Sequence, residues 1–192
     1  NPRHIEVQIL SDKFGNYFHL FERECSLQRR NQKIIEEAPC PNISSNFREK
    51  IINCALKIIK ELKYEGAGTI EFIADGSKGL KENCFWFLEM NTRLQVEHTV
   101  TELITGLDIV KLQFLIASGN KIPFKQDDIV INGHAIQARV FAEDTQNNFI
   151  PTTGKIEYLS YDYLEDRKDI HIRIDNGYKE LSRISQYYDG MI

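Results

Sequence analysis

The sequence predicts an α+β chain, a mostly antiparallel sheet with flanking helices. Two pairs of segments alternate apolar and polar residues at the period of a strand, each pair joined by a short polar stretch. Residues 46–62 instead repeat apolar residues at the period of a helix, and two shorter helical stretches follow with their own start and stop signals.

Taken in order, His4 to Leu10 alternates as a strand, 12–16 turns around Gly15, and Tyr17 to Arg23 pairs back. Residues 24–39 read as an irregular, highly charged loop closed by Pro39 and Pro41. Asn46 with Glu49 forms a capping-box-like helix start, and the stripe behind it runs through Ile51, Ile52, Ala55, Leu56, Ile59 and Leu62. A hairpin over 68–92 follows. A short helix near 99–105 stops at Gly106, and Asp108 caps another that runs to Ala117 and stops at Gly119. The polar connection 120–128 is the expected boundary, giving domains 1–126 and 127–192. Beyond it strands are expected at 133–143, 154–160 and 170–174, with a charged loop at 161–169. There is no internal repeat and no low-complexity tract.

Composition narrows the function. A chain of 192 residues with net charge −4 buries a sizeable core and has no basic footprint for nucleic acid. No run reaches the roughly 18–20 apolar residues of a membrane span. Cys25, Cys40, Cys54 and Cys84 show no Cys-x-x-Cys spacing, which points to structural thiols in a reduced, intracellular setting. The chain opens on Asn1-Pro2 and stops at Ile192 inside an apolar stretch, so both ends read as cuts through a larger protein.

The chemistry concentrates in Gly-Ala-Gly-Thr-Ile-Glu-Phe at 66–72 and Phe-Trp-Phe-Leu-Glu-Met-Asn-Thr-Arg-Leu-Gln-Val-Glu-His at 85–98. Strict alternation puts Phe85, Phe87, Glu89 and Asn91 on one face, with Trp86, Leu88 and Met90 on the other. It likewise sets Thr69, Glu71 and Ile73 against Ile70 and Phe72. In a hairpin, Glu71 and Glu89 then share a face. Alone, two acidic residues are ordinary surface groups. With an amide oxygen beside them, they are also the hard oxygen ligands that Mg²⁺ takes while it holds phosphates. Arg93, Gln95 and Glu97 follow at alternate positions. Arg grips a planar oxyanion through two parallel hydrogen bonds, and a carboxylate held close by removes its proton. A metal for polyphosphate, an Arg for a small planar acid and a carboxylate base together describe activation of an acid by ATP.

These two stretches resemble the ATP-grasp core of biotin carboxylase, the first half-reaction of biotin-dependent carboxylases of the propionyl-, methylcrotonyl- and acetyl-CoA type. The resemblance extends to Arg-His-Ile-Glu-Val-Gln at 3–8, Glu-Arg-Glu-Cys-Ser-Leu-Gln-Arg-Arg-Asn-Gln-Lys at 22–33 and Glu-Glu-Ala-Pro at 36–39. It continues in Ala-Arg-Val-Phe-Ala-Glu-Asp at 138–144 and Tyr-Tyr-Asp-Gly-Met-Ile at 187–192. It implies the second lobe of an ATP-grasp fold running into the biotin carboxylase C-terminal domain, truncated at both ends. The reaction implied uses ATP, Mg²⁺ or Mn²⁺ and bicarbonate to carboxylate biotin on a carrier domain. A carboxyltransferase subunit or domain and a homodimer or larger assembly are the implied partners, in the cytoplasm or mitochondrial matrix. Without its first lobe, the isolated chain is expected to be inactive.

By the same resemblance, Glu71, Glu89 and Asn91 hold metal, while Lys33, Arg93, Gln95 and Val96 seat bicarbonate, the valine through its backbone N–H. Glu97 is the base, Arg139 faces the biotin enolate, and Arg93 counts with these two as catalytic. His4, Gln28, Asn31, Glu71 and Glu89 meet ATP. Read from its surroundings alone, Arg139 is equally a half-buried cation paired with Glu143 or Asp144, and His98 is structural. Thr99, Gln137 and Thr145 depart from the family pattern, as does the long hairpin loop 75–83. Two rivals remain: a carbamoyl-phosphate synthase-like ligase, which also phosphorylates bicarbonate, and a catalytically silent grasp scaffold.

Overall fold

The computed structural model describes residues 1–161 and 170–192. The chain divides into two compact units, Asn1–Ala138 and Arg139–Ile192.

The first unit is a six-stranded antiparallel sheet. Its strands are β1 (Pro2–Ser11), β2 (Tyr17–Arg29), β3 (Gln32–Ala38), β4 (Gly66–Asp75), β5 (Phe85–Asn91) and β6 (Ala135–Ala138), in the order β5-β4-β1-β2-β3-β6. Helix α1 (Ser45–Glu61) covers one face. There Ile5, Val7, Ile9, Ile70, Phe72 and Ala74 pack against its Phe47, Ile51, Ala55 and Ile59. The other face is divided. Leu10, Phe18, Leu20 and Ala67 meet helix α3 (Ile109–Ala117). Helix α2 (His98–Thr105) buries Val100 and Ile104 with Ala38 and Ala135. What remains of that face carries the polar side chains.

Three expectations are corrected here. Residues 24–39 are no irregular loop: β2 runs on to Arg29 and pairs with β3 through Arg29↔Gln32. The two-residue turn between them, Arg30 and Asn31, has φ of 52° and 64°. Such turns need positive φ at both positions, and no Gly advertises it here. The α1 cap is Ser44, whose hydroxyl accepts from the Phe47 N–H at 3.2 Å, two residues before the expected Asn46. Leu62 is the C-cap and is exposed rather than part of the stripe. The short helices stand as expected: Gly106 takes φ 70° after α2, and the Asp108 side chain caps α3.

The compact unit also runs past the boundary expected at 126, because β6 adds a sixth strand beside β3 through Ile35↔Ala138 to Ala38↔Ala135. The strand expected over 133–143 is therefore interrupted, with β7 (Glu143–Asp144) pairing instead with β8 (Ile150–Pro151) in the second unit. There β9 (Gly154–Lys155) pairs with β10 (Arg183–Ile184), so the strand expected over 154–160 is two residues long. No strand is assigned over 171–174. Ala142 and Gly190, and Val140 and Ile192, join through backbone hydrogen bonds of 2.8 and 2.9 Å. The charged loop expected at 161–169 lies, apart from residue 161, outside the described residues. Among the described residues, no helix is long and apolar enough to cross a membrane.

Candidate active site

Two β-bulges decide which side chains reach the polar face. A bulge adds one residue to one strand, so alternation restarts on the opposite side. Between β1 and β2 the register shifts from Val7↔Glu22 to Ile9↔His19, which sets Leu20 and Phe21 opposite Gln8. Phe21 takes φ 64° there. Leu20 therefore faces α3, and Arg23 stays on that same face instead of turning toward α1. Glu22 turns toward α1, where its carboxylate accepts from Arg48 at 2.9 Å. Between β4 and β5 the register passes from Glu71↔Glu89 to Phe72↔Phe87, leaving Leu88 as the extra residue.

This second bulge confirms one face assignment and overturns another. Glu71, Glu89, Thr69 and Asn91 do lie together. Phe85 and Phe87 do not share that face, because Phe85 packs edge-on against Phe72 and Phe47 in the core under α1. Strict alternation fails across Leu88, and the sequence has no Gly there to warn of it.

The three side chains expected to hold metal converge. The Asn91 amide donates to Glu71 Oε1 at 2.9 Å and to Glu89 Oε1 at 3.0 Å. Gly68 permits this closeness, since a Cβ there would meet the Asn91 carbonyl oxygen at 2.9 Å. Two carboxylates and an amide within one another's reach suit a hard divalent cation. The Arg93 guanidinium donates to Asn91 Oδ1 at 3.3 Å, so it flanks the trio from the exposed side.

Lys33 joins this trio to the expected base. Its Nζ lies 2.6 Å from Glu6 Oε2, 2.9 Å from Glu71 Oε1 and 2.6 Å from Glu97 Oε1. Burial alone would push the ammonium pKa down, but the surrounding charges, Glu6 foremost, reverse this and hold it well above its ordinary value. Burial likewise opposes ionisation of Glu71 and Glu97. Hydrogen bonds from His4 and Lys33 outweigh it at Glu71, and the charges of Arg23 and Lys33 do so at Glu97, so both carboxyls fall below their usual range. Both carboxylates are ionised at neutral pH.

Around this centre, His4 Nε2 lies 2.6 Å from Glu71 Oε2, and Gln28 Nε2 lies 2.9 Å from His4 Nδ1. Gln95 is buried, donating to Glu71 Oε1 at 2.7 Å. Val96 is exposed beside it, and Asn31 is exposed at its hairpin turn. His98 Nδ1 is 2.7 Å from the Gln95 carbonyl oxygen, consistent with the structural role expected of it. Arg139 belongs to the second unit, where it is half-buried. Of the two alternative partners expected for it, Glu143 and Asp144, the second also accepts from Gln146 and Asn147 of its own turn.

Sequence reasoning missed two central groups. Glu6 and Arg23 are both buried, and Arg23 Nε donates to Glu6 Oε1 at 2.5 Å. Both lie within quoted motifs, but alternation without the bulge would have sent Arg23 to the α1 face. Cys25 also belongs to the cluster, its sulfur within 4.8 Å of ligand atoms on Glu6 and Glu97. Burial raises its pKa well above the usual thiol value, which disfavours the thiolate. All four cysteines are free.

An antiparallel sheet presenting a metal-type trio, a shared lysine and a buried carboxylate is the arrangement of an ATP-grasp lobe. Residues 1–125 match the family described as carbamoyl-phosphate synthase L chain, ATP binding domain. Residues 137–192 match the biotin carboxylase C-terminal domain. The chain belongs to the family of that ATP-binding domain, followed by a stretch of the biotin carboxylase C-terminal domain family. It is 50% identical over 191 residues to the mitochondrial methylcrotonoyl-CoA carboxylase subunit alpha of Mus musculus, covering all of this chain and 25% of that protein. It is 47% identical over 192 residues to the biotin carboxylase of Nostoc sp., covering 100% of this chain and 40% of that protein. A solved structure matches all of this chain with TM-score 0.88 and 46% identity, over 40% of its own length. That structure is the biotin carboxylase domain dimer of Hydrogenobacter thermophilus 2-oxoglutarate carboxylase in complex with MgADP, ADP and bicarbonate. The chain thus spans well under half the length of these relatives.

Proposed function

We propose that this chain serves in a biotin carboxylase, where ATP and bicarbonate form carboxyphosphate and the carboxyl group then passes to N1 of biotin on a carrier domain. The observation that carries the reading is Lys33, hydrogen-bonded at once to Glu71 of the metal-type trio and to Glu97. One cation therefore links a polyphosphate site to a base, which is where an oxyanion must lie to attack the γ-phosphorus. The match of 137–192 to the biotin carboxylase C-terminal domain favours this over a carbamoyl-phosphate synthase.

In this reading Arg93, Lys33, Gln95 and the Val96 N–H hold bicarbonate, while His4, Gln28 and Asn31 contact the nucleotide. Glu97 takes the bicarbonate proton as its oxygen bonds to the γ-phosphorus and ADP leaves. Glu71, Glu89 and Asn91 would hold a divalent cation, which would supply positive charge against the phosphates. Arg139 stabilises the biotin enolate oxygen while N1 takes the carboxyl group. A biotin carrier domain and a carboxyltransferase are the partners that this chemistry requires.

Glu97→Gln in the holoenzyme tests the reading. The variant keeps the shape and removes the base, so bicarbonate-dependent ATP hydrolysis should fall about 10²–10⁴-fold. Unchanged turnover would show that another group takes the proton.

A further inference from the structure

We propose that Arg23 and Glu6 are positioning residues for the bicarbonate half of this site; the inference rests on the function proposed above. Arg23 is fully buried, and a guanidinium has five N–H donors. All five have an acceptor here. Nε donates to Glu6 Oε1 at 2.5 Å. Nη1 donates to Gln8 Oε1 at 2.7 Å and Thr101 Oγ1 at 2.9 Å. Nη2 donates to Thr69 Oγ1 at 3.3 Å and Gln95 Oε1 at 3.2 Å. The five acceptors come from β1, β4, α2 and the segment before α2, so one side chain ties together four parts of the unit.

Two of those acceptors reach the site directly, and in each Arg23 decides which atom faces it. Gln95 gives its oxygen to Arg23, so its amide nitrogen is the end that meets Glu71 at 2.7 Å. The flipped amide would set its oxygen against the Glu71 carboxylate and its N–H donors against those of Arg23. Glu6 gives Oε1 to Arg23 and Oε2 to Lys33 at 2.6 Å. Glu6 is therefore the joint between the deep guanidinium and the ammonium at the surface of the site. When bicarbonate accepts a hydrogen bond from Lys33 in place of Glu97, Glu6 keeps the ammonium where it was. Arg23 itself touches neither nucleotide nor bicarbonate and acts through these two residues. The Phe21 bulge is what delivers it to this face.

A stabilising role alone predicts a different result from a positioning role. Arg23→Lys keeps the charge but offers three donors without the planar fork. In the holoenzyme it should lower kcat/KM for bicarbonate at least tenfold, while KM for Mg-ATP changes less than about threefold. Glu6→Gln should show the same split, and the two changes together should cost less than the product of the single effects, because they act along one path. If Arg23→Lys does not fold, Glu6→Gln carries the test by the same bicarbonate-to-ATP split. Wild-type kcat/KM for bicarbonate in a folded variant overturns the proposal, as does a parallel loss for both substrates or full multiplicativity. A wild-type holoenzyme whose ATP hydrolysis ignores bicarbonate removes the proposed function, and this inference with it.

Discussion

His19 shows how one half-buried side chain sets a pH dependence. Burial lowers its pKa from 6.5 to about 4. Its backbone is fixed by Gln126, which accepts from the His19 N–H at 3.0 Å and donates to its carbonyl oxygen at 3.1 Å. Between those two pH values only the unfolded chain takes the proton, so stability falls as pH falls through the window. The loss is on the order of 2–3 kcal/mol by pH 4. Denaturant titrations of wild type and His19→Gln across pH 4–7 check this. The variant should have the flatter profile, and parallel profiles would assign the acid sensitivity elsewhere. Glu71 and Glu97 act in a lower window: their depressed pKa values supply stability above about pH 4.5 that is lost as pH drops further. Arg139 gives the second prediction at this scale. Arg139→Lys in the holoenzyme should depress biotin carboxylation strongly and biotin-independent ATP hydrolysis far less, since the enolate forms after carboxyphosphate. Equal losses would place Arg139 in the fold or at the nucleotide.

At the scale of elements, what alternation and capping residues announce was legible, and what bulges decide was not. Hairpin 66–91, the α1 stripe, Gly106 and Asp108 all carry their signals in residue type. The β2–β3 hairpin does not, because Arg30 and Asn31 take left-handed conformations without Gly. For the same reason the face of Phe85 and the direction of Arg23 were hidden: each depends on one extra residue, and a one-residue shift reverses every side chain beyond it. Two substitutions test these placements. Phe85→Ala should destabilise by about 2–4 kcal/mol because it empties space between Phe47 and Phe72. A cost below 1 kcal/mol in a denaturation curve would return Phe85 to the polar face. Gly68→Ala should push the Asn91 backbone away and weaken Mn²⁺-nucleotide binding by the holoenzyme, read by calorimetric titration. Unaltered affinity would show that Asn91 has room to move.

For the molecule as a whole, the candidate site was legible because its polar groups cluster in sequence as well as in space. Glu71, Glu89, Asn91, Arg93, Gln95 and Glu97 come from one hairpin and its exit. His4, Gln28 and Lys33 come from β1, β2 and β3, the next three strands of the sheet after β4. What pattern alone could not supply is the charge balance of the interior, where Arg23 and Lys33 face Glu6, Glu71 and Glu97. Two cations against three carboxylates leave the cluster electronegative, which suits a centre that meets a divalent cation while it works. The account stands or falls on whether that centre joins bicarbonate to the phosphoryl group. Holoenzyme turning over ATP, biotin carrier and ¹⁸O-labelled bicarbonate should release inorganic phosphate that carries one bicarbonate oxygen, and Glu97→Gln should slow that transfer with total turnover. Phosphate whose new oxygen comes only from water would contradict it.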